Sequence, residues 1–182
     1  MMMPKYQIRK IAVVGNIGGG KTILSRRFSQ LYNLPLTHVD SIEFLPGLQR
    51  RSPKECVQLI KKIEEQDSWI IDGYGPLDLI ENRFAIADVI VFIDLPIHLH
   101  FWWTLKRQIK ILSLPRQELP PDCNEFNYSH SKRLFKSIWN MHQKMRPELL
   151  KIFSRDNLKE KVVHIRSRHE WQLCHEQGIG HL

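Results

Sequence analysis

A glycine-rich loop near the start of the chain limits the folds that this sequence can adopt. Residues 15–22 read Gly-Asn-Ile-Gly-Gly-Gly-Lys-Thr and satisfy the pattern G-x-x-x-x-G-K-[ST]. Residues 11–14 form a β-branched run typical of a buried parallel strand, and residues 23–31 have helical periodicity. Strand, glycine loop and helix are the context in which this pattern binds phosphate. The sequence therefore predicts a phosphate-binding loop at residues 15–22, called the phosphate loop below.

The chemistry of this loop follows from its backbone. Glycines let the chain turn tightly, so that successive N–H groups point inward at phosphate oxygens. The N-terminus of the following helix adds a partial positive charge. We expect Lys21 to reach the β- and γ-phosphates and the Thr22 hydroxyl to ligate Mg²⁺. The predicted nucleotide-binding residues of the loop are Gly15, Asn16, Gly18, Gly19, Gly20, Lys21 and Thr22.

Length and composition favour one domain in the cytoplasm. A chain of 182 residues, 42% of them hydrophobic, can bury one core, so we expect residues 1–182 to form a single domain. The apolar runs have at most about five residues, whereas a membrane span needs about 20. Residues 1–5 lack the apolar stretch of a secretion signal. Three widely spaced cysteines fit a reducing cytoplasm better than a disulfide framework.

Strand and helix patterns alternate to the end of the chain, which favours an α/β fold with a parallel sheet. The five predicted strands are residues 11–14, 36–40, 69–73, 89–94 and 161–165. The predicted helices are residues 20–32, one that starts at 52–55, residues 76–83, a long one from Pro96, about 134–152, and 167–177. Prolines and asparagines in residues 113–130 predict a loop or lid between two of these helices.

Short motifs accompany the phosphate loop in order along the chain. They are residues 38–40, 46–51, 69–74, Arg83 with 87–88, 94–96, 118–123, 146–147 and 166–167. With them the sequence resembles small P-loop kinases of the adenylate-kinase type and, more closely, the bacterial FlaR-like group related to DNA topology modulation proteins. The resemblance covers roughly residues 10–170. It implies a P-loop NTPase fold with a mobile lid at residues 113–130, and the use of ATP and Mg²⁺.

One departure from the adenylate-kinase pattern concerns the phosphate acceptor. Those enzymes carry an arginine just after an Asp-Gly-aromatic-Pro turn, where it grips the nucleoside monophosphate. Here residues 72–77 read Asp-Gly-Tyr-Gly-Pro-Leu, and the next arginine is Arg83. The resemblance therefore does not extend to AMP as acceptor, and the acceptor stays open.

Carboxylates close three predicted strands, at the edge where open α/β sheets bind their ligands. We expect Asp72 to lie on the Mg²⁺ side, acting through a bound water, with a turn-capping role as the alternative. Asp40 is expected to face the acceptor and orient its hydroxyl or act as general base, and a turn role is the alternative. Asp94 precedes a helix, so we assign it to capping or strand packing and leave it outside the site.

Arginines are expected to supply the positive charge that phosphoryl transfer requires. Arg107 precedes the predicted lid, at a place where related kinases keep a phosphate-contacting arginine, and Arg116 lies in the lid itself. Arg146 is a third candidate, and a solvated surface role is the alternative for each. Arg166 follows the last strand, where this fold meets the adenine base.

These observations predict an ATP-dependent kinase that transfers a phosphoryl group to a small acceptor. The alternative is a nucleotide-binding regulator that acts on nucleic acid, because residues 101–182 hold 15 Lys and Arg against 8 Asp and Glu. No nucleic-acid-binding signature accompanies that charge, so a nucleic-acid partner is not expected. The histidines at 98 and 100 are spaced i, i+2 on a predicted helix and cannot share a metal. The sequence leaves open a monomer or a homodimer.

Overall fold

A five-stranded parallel sheet organises the computed structural model, which describes residues 8–45, 49–111 and 128–181. The strands are β1 (Lys10–Gly15), β2 (Leu36–His38), β3 (Trp69–Asp72), β4 (Val89–Ile93) and β5 (Val162–Ile165). Their order across the sheet is β2-β3-β1-β4-β5, and every pairing is parallel. The predicted α/β fold with a five-stranded parallel sheet, the P-loop NTPase fold, is therefore confirmed.

Helices cover both faces of this sheet. They are α1 (Lys21–Tyr32), α2 (Val39–Glu43), α3 (Pro53–Glu64), α4 (Leu77–Ile86), α5 (Ile97–Ile111), α6 (Tyr128–Asn140), α7 (Arg146–Phe153), α8 (Asp156–Lys159) and α9 (Arg168–Gln177). A π-helical turn, Met141–Met145, joins α6 to α7, and a short 3₁₀ helix, Ile179–His181, follows α9. Within the described part of the chain, no helix is both long and apolar enough to cross a membrane.

The core consists of two apolar layers, one on each face of the sheet. Strand β1 lies at the centre, and residues 11–14 are fully buried, with Ala12 and Val14 on one face and Ile11 and Val13 on the other. Burial on both faces explains why this strand reads as a continuous apolar run. The carboxyl ends of β1, β3 and β4 consequently open on one edge of the sheet.

Two predicted elements differ from the structure. The second strand was expected to reach Asp40 but ends at His38, because residues 39–43 turn into the short helix α2. The long helix expected at 134–152 is interrupted by the π-helical turn, after which Pro147 occupies the first turn of α7. Proline has no N–H to donate to the preceding turn, so a break in the α-helical pattern at this point has a local cause.

The lid predicted at residues 113–130 lies mostly outside the described residues. Only its last three positions are described, and they begin α6.

Candidate functional site

The phosphate loop connects β1 to α1 at the carboxyl edge of the sheet. Gly18 and Gly20 adopt φ angles of 74° and 79°, in the left-handed region that favours glycine. Gly20 is the N-cap of α1, so the start of that helix faces the mouth of the loop. The local geometry expected from the sequence is present.

Asn16 organises the loop from within. Its carbonyl oxygen accepts a hydrogen bond from Lys21 Nζ at 3.1 Å and one from the Gly19 N–H at 3.3 Å. Its side-chain oxygen accepts from the Ile17 N–H at 2.7 Å, and its Nδ2 donates to the Ile138 carbonyl of α6 at 2.9 Å. The Asn16 side chain, which is 8% exposed, thus ties the loop to a helix far away in sequence.

A hydroxyl and an imidazole converge on one oxygen of Asp72. The Thr22 hydroxyl donates to Asp72 Oδ2 at 2.9 Å, and His38 Nδ1 lies 2.9 Å from the same atom. Asp72 is 6% exposed, at the end of β3. Hydroxyl and carboxylate oxygens are ligands that Mg²⁺ accepts, so these two predicted metal residues fit the ion and the waters that it retains.

His38 was not predicted as a site residue. It ends β2, and its Cα is paired with that of Asp72 in the parallel register of β2 and β3. The sequence held one indication of this contact. Two predicted strands end in polar side chains, and neighbouring parallel strands end at the same edge of a sheet. Across the described ranges 8–45, 49–111 and 128–181, no three His, Cys, Asp or Glu side chains are grouped to hold a metal ion.

Asp40 lies in α2 and is exposed, two residues beyond the end of β2. Its neighbour on the same helix, Glu43, is half-buried, and burial together with the charge of Asp40 raises the pKa of the Glu43 carboxyl. The Asp40 carboxylate is itself open to solvent. Its predicted role towards an acceptor stays a prediction.

A buried ion pair shapes the loop that follows β3. Arg83 of α4 donates from Nε to Glu64 Oε1 of α3 at 2.8 Å, and the two side chains are 0% and 3% exposed. Arg83 Nη1 also donates to the carbonyl oxygens of Gly73 and Tyr74, at 3.0 and 2.9 Å. Burial lowers the pKa of Arg83, and the hydrogen bond and charge of Glu64 oppose that change. The first arginine after Asp72 thus supports the loop from inside.

Asp94 is the centre of an ionic network, where we expected a capping or packing residue. Arg146 binds it through two bonds, Nε to Oδ1 at 2.6 Å and Nη2 to Oδ2 at 3.0 Å. His164 Nε2 lies 2.9 Å from Asp94 Oδ2. Burial raises the pKa of the Asp94 carboxyl, but the bonds and charges of His164 and Arg146 outweigh it, so the net pKa is below the ordinary value. Arg146 is therefore committed to Asp94.

The remaining predicted arginines are placed differently. Arg166 is exposed after β5, and its Nε donates to His164 Nδ1 at 3.2 Å, so it extends the Asp94 network towards solvent. Arg107 is half-buried on α5. Arg116 lies outside the described residues. The adenine-facing role of Arg166 and the phosphate-contacting roles of Arg107 and Arg116 stay predictions.

Comparison with known proteins finds similarity to solved structures, in the fold. The chain is similar to the shikimate kinase of Acinetobacter baumannii in complex with shikimate, with a TM-score of 0.49 and 17% sequence identity, covering 87% of this chain and 82% of that one. It is also similar to the shikimate kinase of Aquifex aeolicus, with a TM-score of 0.40 and 21% identity, covering 74% and 81% of the two chains. No protein-family model and no curated protein matches the sequence. At these values the likeness carries no functional argument, which must come from the residues of this chain.

Proposed function

We propose that this protein is an ATP-dependent phosphotransferase that uses Mg²⁺ and phosphorylates a small acceptor. The observation that carries the proposal is the juxtaposition of the phosphate loop with the Thr22–Asp72 pair, joined at 2.9 Å. Phosphoryl transfer needs held phosphates, a neutralising cation and a positioned acceptor, and it asks for little covalent chemistry from the protein. The residues at this edge of the sheet would meet the first two needs, by holding the phosphates and the cation.

The phosphate loop and Lys21 would hold the triphosphate. Lys21 Nζ lies 3.1 Å from the Asn16 carbonyl oxygen, so its ammonium is held within the phosphate loop. When a nucleotide binds, phosphate oxygens would replace that carbonyl as the partner of the ammonium group. The start of α1 adds the positive end of its dipole.

Thr22 and Asp72 would hold Mg²⁺, which supplies charge neutralisation at the transferring phosphoryl group. The Thr22 hydroxyl can keep its hydrogen bond to Asp72 while an oxygen lone pair turns to the cation. His38 donates to the same carboxylate oxygen and restricts its rotation. The Asp72 carboxylate, held in one orientation, would accept hydrogen bonds from water molecules bound to Mg²⁺.

The acceptor would lie at the ends of β2 and β3. Asp40 is the exposed carboxylate of that region and would orient or deprotonate the acceptor hydroxyl. The loop at residues 73–74, which Arg83 holds in place, would form another wall of this acceptor site. Arg107 of α5 would contact the transferring phosphoryl group, and so would Arg116, which lies outside the described residues.

A turnover assay tests the proposal. ADP formation from MgATP is measured with a panel of nucleosides, nucleotides, sugars and hydroxy-acids, shikimate included. At least one acceptor should stimulate turnover above basal hydrolysis. The absence of stimulation across the panel, with MgATP bound to the protein, would exclude the transferase and leave a nucleotide-binding protein.

Lys21→Ala provides the matched test of the loop. We expect at least about a hundredfold loss of transfer, because a positioned charge on the phosphates is removed. The melting temperature should be retained, since the side chain is not part of either core layer. Lys54→Ala, an exposed lysine in the first turn of α3, is the control and should keep full activity.

The structure gives the nucleic-acid alternative no support. Two arginines of the basic half, residues 101–182, are paired with carboxylates: Arg146 with Asp94, and Arg155 with Glu81. A filter-binding assay at low salt checks this point, and retention of DNA would revive the alternative.

A further inference from the structure

Helix α5 carries a stripe of buried polar side chains where apolar ones would be expected. His100, Thr104 and Gln108 are spaced i, i+4, i+8, and they are 1%, 0% and 4% exposed. Burying polar groups is unfavourable unless they make hydrogen bonds. The buried polar side chains of α5 must therefore have interactions that offset the cost of burying them.

The first two residues of the stripe lie directly against the phosphate loop. A Cβ atom added to Gly18 would collide with Thr104 Oγ1 and would lie 2.8 Å from the His100 carbonyl oxygen. A Cβ atom added to Gly19 would lie 3.0 Å from His100 Cε1. Gly18 is therefore required by the approach of α5 as well as by its own backbone angle, and Gly19 by the approach of α5. The loop rests on this part of the helix.

The His100 ring lies between two carbonyl oxygens that can only accept hydrogen bonds. Its Nδ1 is 3.0 Å from the Ile17 oxygen in the phosphate loop, and its Nε2 is 3.1 Å from the Leu95 oxygen before α5. Burial, with the charge of Lys21, lowers the pKa of His100 to about 4 against the opposing effect of the two carbonyls. At neutral pH the ring thus has one N–H and can donate to one carbonyl only.

Other ionisable groups surround the ring. Lys21 faces it from the phosphate loop and Asp94 from the end of β4, with opposite effects on its charge. His100 and Asp94 line a cavity together with Tyr74, His142 and Arg146. Asp94 is paired with Arg146, and the Lys21 charge lowers the pKa of the ring by more than the Asp94 charge raises it.

We propose that His100 is a positioning residue of the phosphate loop, whose Nδ1–H holds the Ile17 carbonyl and so aims the Gly18 N–H at the bound phosphate. The inference deepens the proposed function and rests on it. In a trans peptide the C=O and the following N–H point in opposite directions. A donor that fixes the Ile17 oxygen on the α5 side therefore turns the Gly18 amide away from α5, into the concave face of the loop.

Two substitutions separate this role from simple space filling. The side-chain nitrogen of asparagine occupies the place of Nδ1, whereas that of glutamine reaches the place of Nε2. His100→Asn therefore keeps a donor for Ile17 and loses the contact with Leu95, and His100→Gln does the reverse. Calorimetry gives the Kd for MgATP of each full-length variant, and thermal unfolding gives its stability.

The proposal predicts different affinities for two variants of similar stability. His100→Asn should bind MgATP within about threefold of the unchanged protein, and His100→Gln should bind about tenfold more weakly, since one net hydrogen bond is worth about a factor of ten. Equal affinities in the two variants, or tighter binding by His100→Gln, would overturn the inference. Failure of the unchanged protein to bind MgATP would instead overturn the proposed function.

A spectroscopic measurement needs no variant to bind or fold. Long-range ¹H–¹⁵N NMR of the ligand-free protein reports which ring nitrogen of His100 carries the proton, and the His100→Asn spectrum identifies the signal if that variant folds; otherwise it is identified by through-bond assignment. The Nδ1–H tautomer is the expected result. The Nε2–H tautomer, which leaves Ile17 without this donor, contradicts the proposal whatever the binding data show.

Discussion

One oxygen atom, Asp72 Oδ2, receives hydrogen bonds from both the phosphate-loop helix and strand β2. Thr22 and His38 each lie 2.9 Å from it. Two of these three residues were predicted, because an acidic residue at a strand end and the last residue of the loop motif have known roles. His38 was missed because its meaning depends on which strands are neighbours, and one sequence does not fix the strand order.

Asp72→Asn should weaken the Mg²⁺ dependence of nucleotide binding. Asparagine keeps the shape of the side chain but removes the negative charge that would hold the waters of the ion. We expect about a tenfold higher Mg²⁺ concentration for half-maximal effect on ATP affinity, as for other residues that orient a metal shell. Calorimetric ATP titrations at a series of Mg²⁺ concentrations measure this.

Asp67→Asn is the matched control, since Asp67 is exposed and precedes β3 at the opposite edge of the sheet. An unchanged Mg²⁺ requirement in Asp72→Asn would remove Asp72 from the metal site.

The buried His100 predicts a pH dependence of folding stability. The unfolded histidine takes up a proton near its ordinary value of 6.5, whereas the folded ring does so only near a pKa of about 4. Between these values the unfolded state binds more protons, so stability falls as the pH falls. From pH 7 to pH 5 this group should account for a loss of about 2 kcal/mol.

Urea denaturation at the two pH values measures the effect. His100→Asn lacks the titrating group and should show a correspondingly smaller loss, while the remaining ionisable groups act in both proteins. Identical pH dependence in the two proteins would show that folding leaves the pKa of His100 unchanged.

At the scale of elements, the Arg83–Glu64 pair joins α3, α4 and the loop after β3. Glu64→Gln leaves the Arg83 charge buried without its partner and should cost about 3–5 kcal/mol of unfolding free energy. The adjacent Glu65→Gln is the control, because Glu65 is exposed and should change stability by less than about 0.5 kcal/mol. Urea denaturation curves measure both.

The double variant Glu64→Met with Arg83→Met refines this prediction. Removal of both charges should cost less than the sum of the two single substitutions to methionine, because no lone charge stays buried. Strict additivity of the single losses would mean that the two side chains do not interact.

Predictability of the elements depended on how local their causes are. The α3 start was readable because Ser52 accepts from the Glu55 N–H at 3.3 Å, a bond within one turn. The capping box of Ser167 and Glu170 at α9 is equally local. The end of β2 was predicted wrongly because it depends on the packing of Val39 and Ile42 into a core layer. The π-helical turn was missed although its local cause, Pro147, is visible in the sequence. The Arg83–Glu64 pair, 19 residues apart, has no periodic signature in the sequence.

At the scale of the whole molecule, ligand binding and folding should be coupled. The phosphate loop, α5 and α6 come together only in the folded chain, so MgATP can bind only there. At a concentration about one hundred times its Kd, MgATP should add about 2.7 kcal/mol to the unfolding free energy. Thermal or urea unfolding with and without MgATP measures the gain.

Lys21→Ala should lose most of that gain while it keeps the stability of the ligand-free protein. An equal gain in the variant would indicate that nucleotide binds elsewhere. The fold could be predicted because the glycine loop, the apolar runs and their alternation agree with one another. The network around Asp94 could not, since it unites the ends of β4 and β5 with the start of α7.

The carboxamide of Asn16 has a consequence for motion. One end of this group is fastened to a loop amide and the other to the backbone of α6, through Ile17 and Ile138. A shift of α6 along its axis would therefore displace the phosphate loop, which is proposed to bind ATP. Binding of ATP to the loop would in turn change the preferred position of α6. By thermodynamic reciprocity, whatever one movement does to the other is returned in equal measure. Through the single side chain of Asn16, ATP binding and the position of α6 would therefore be coupled.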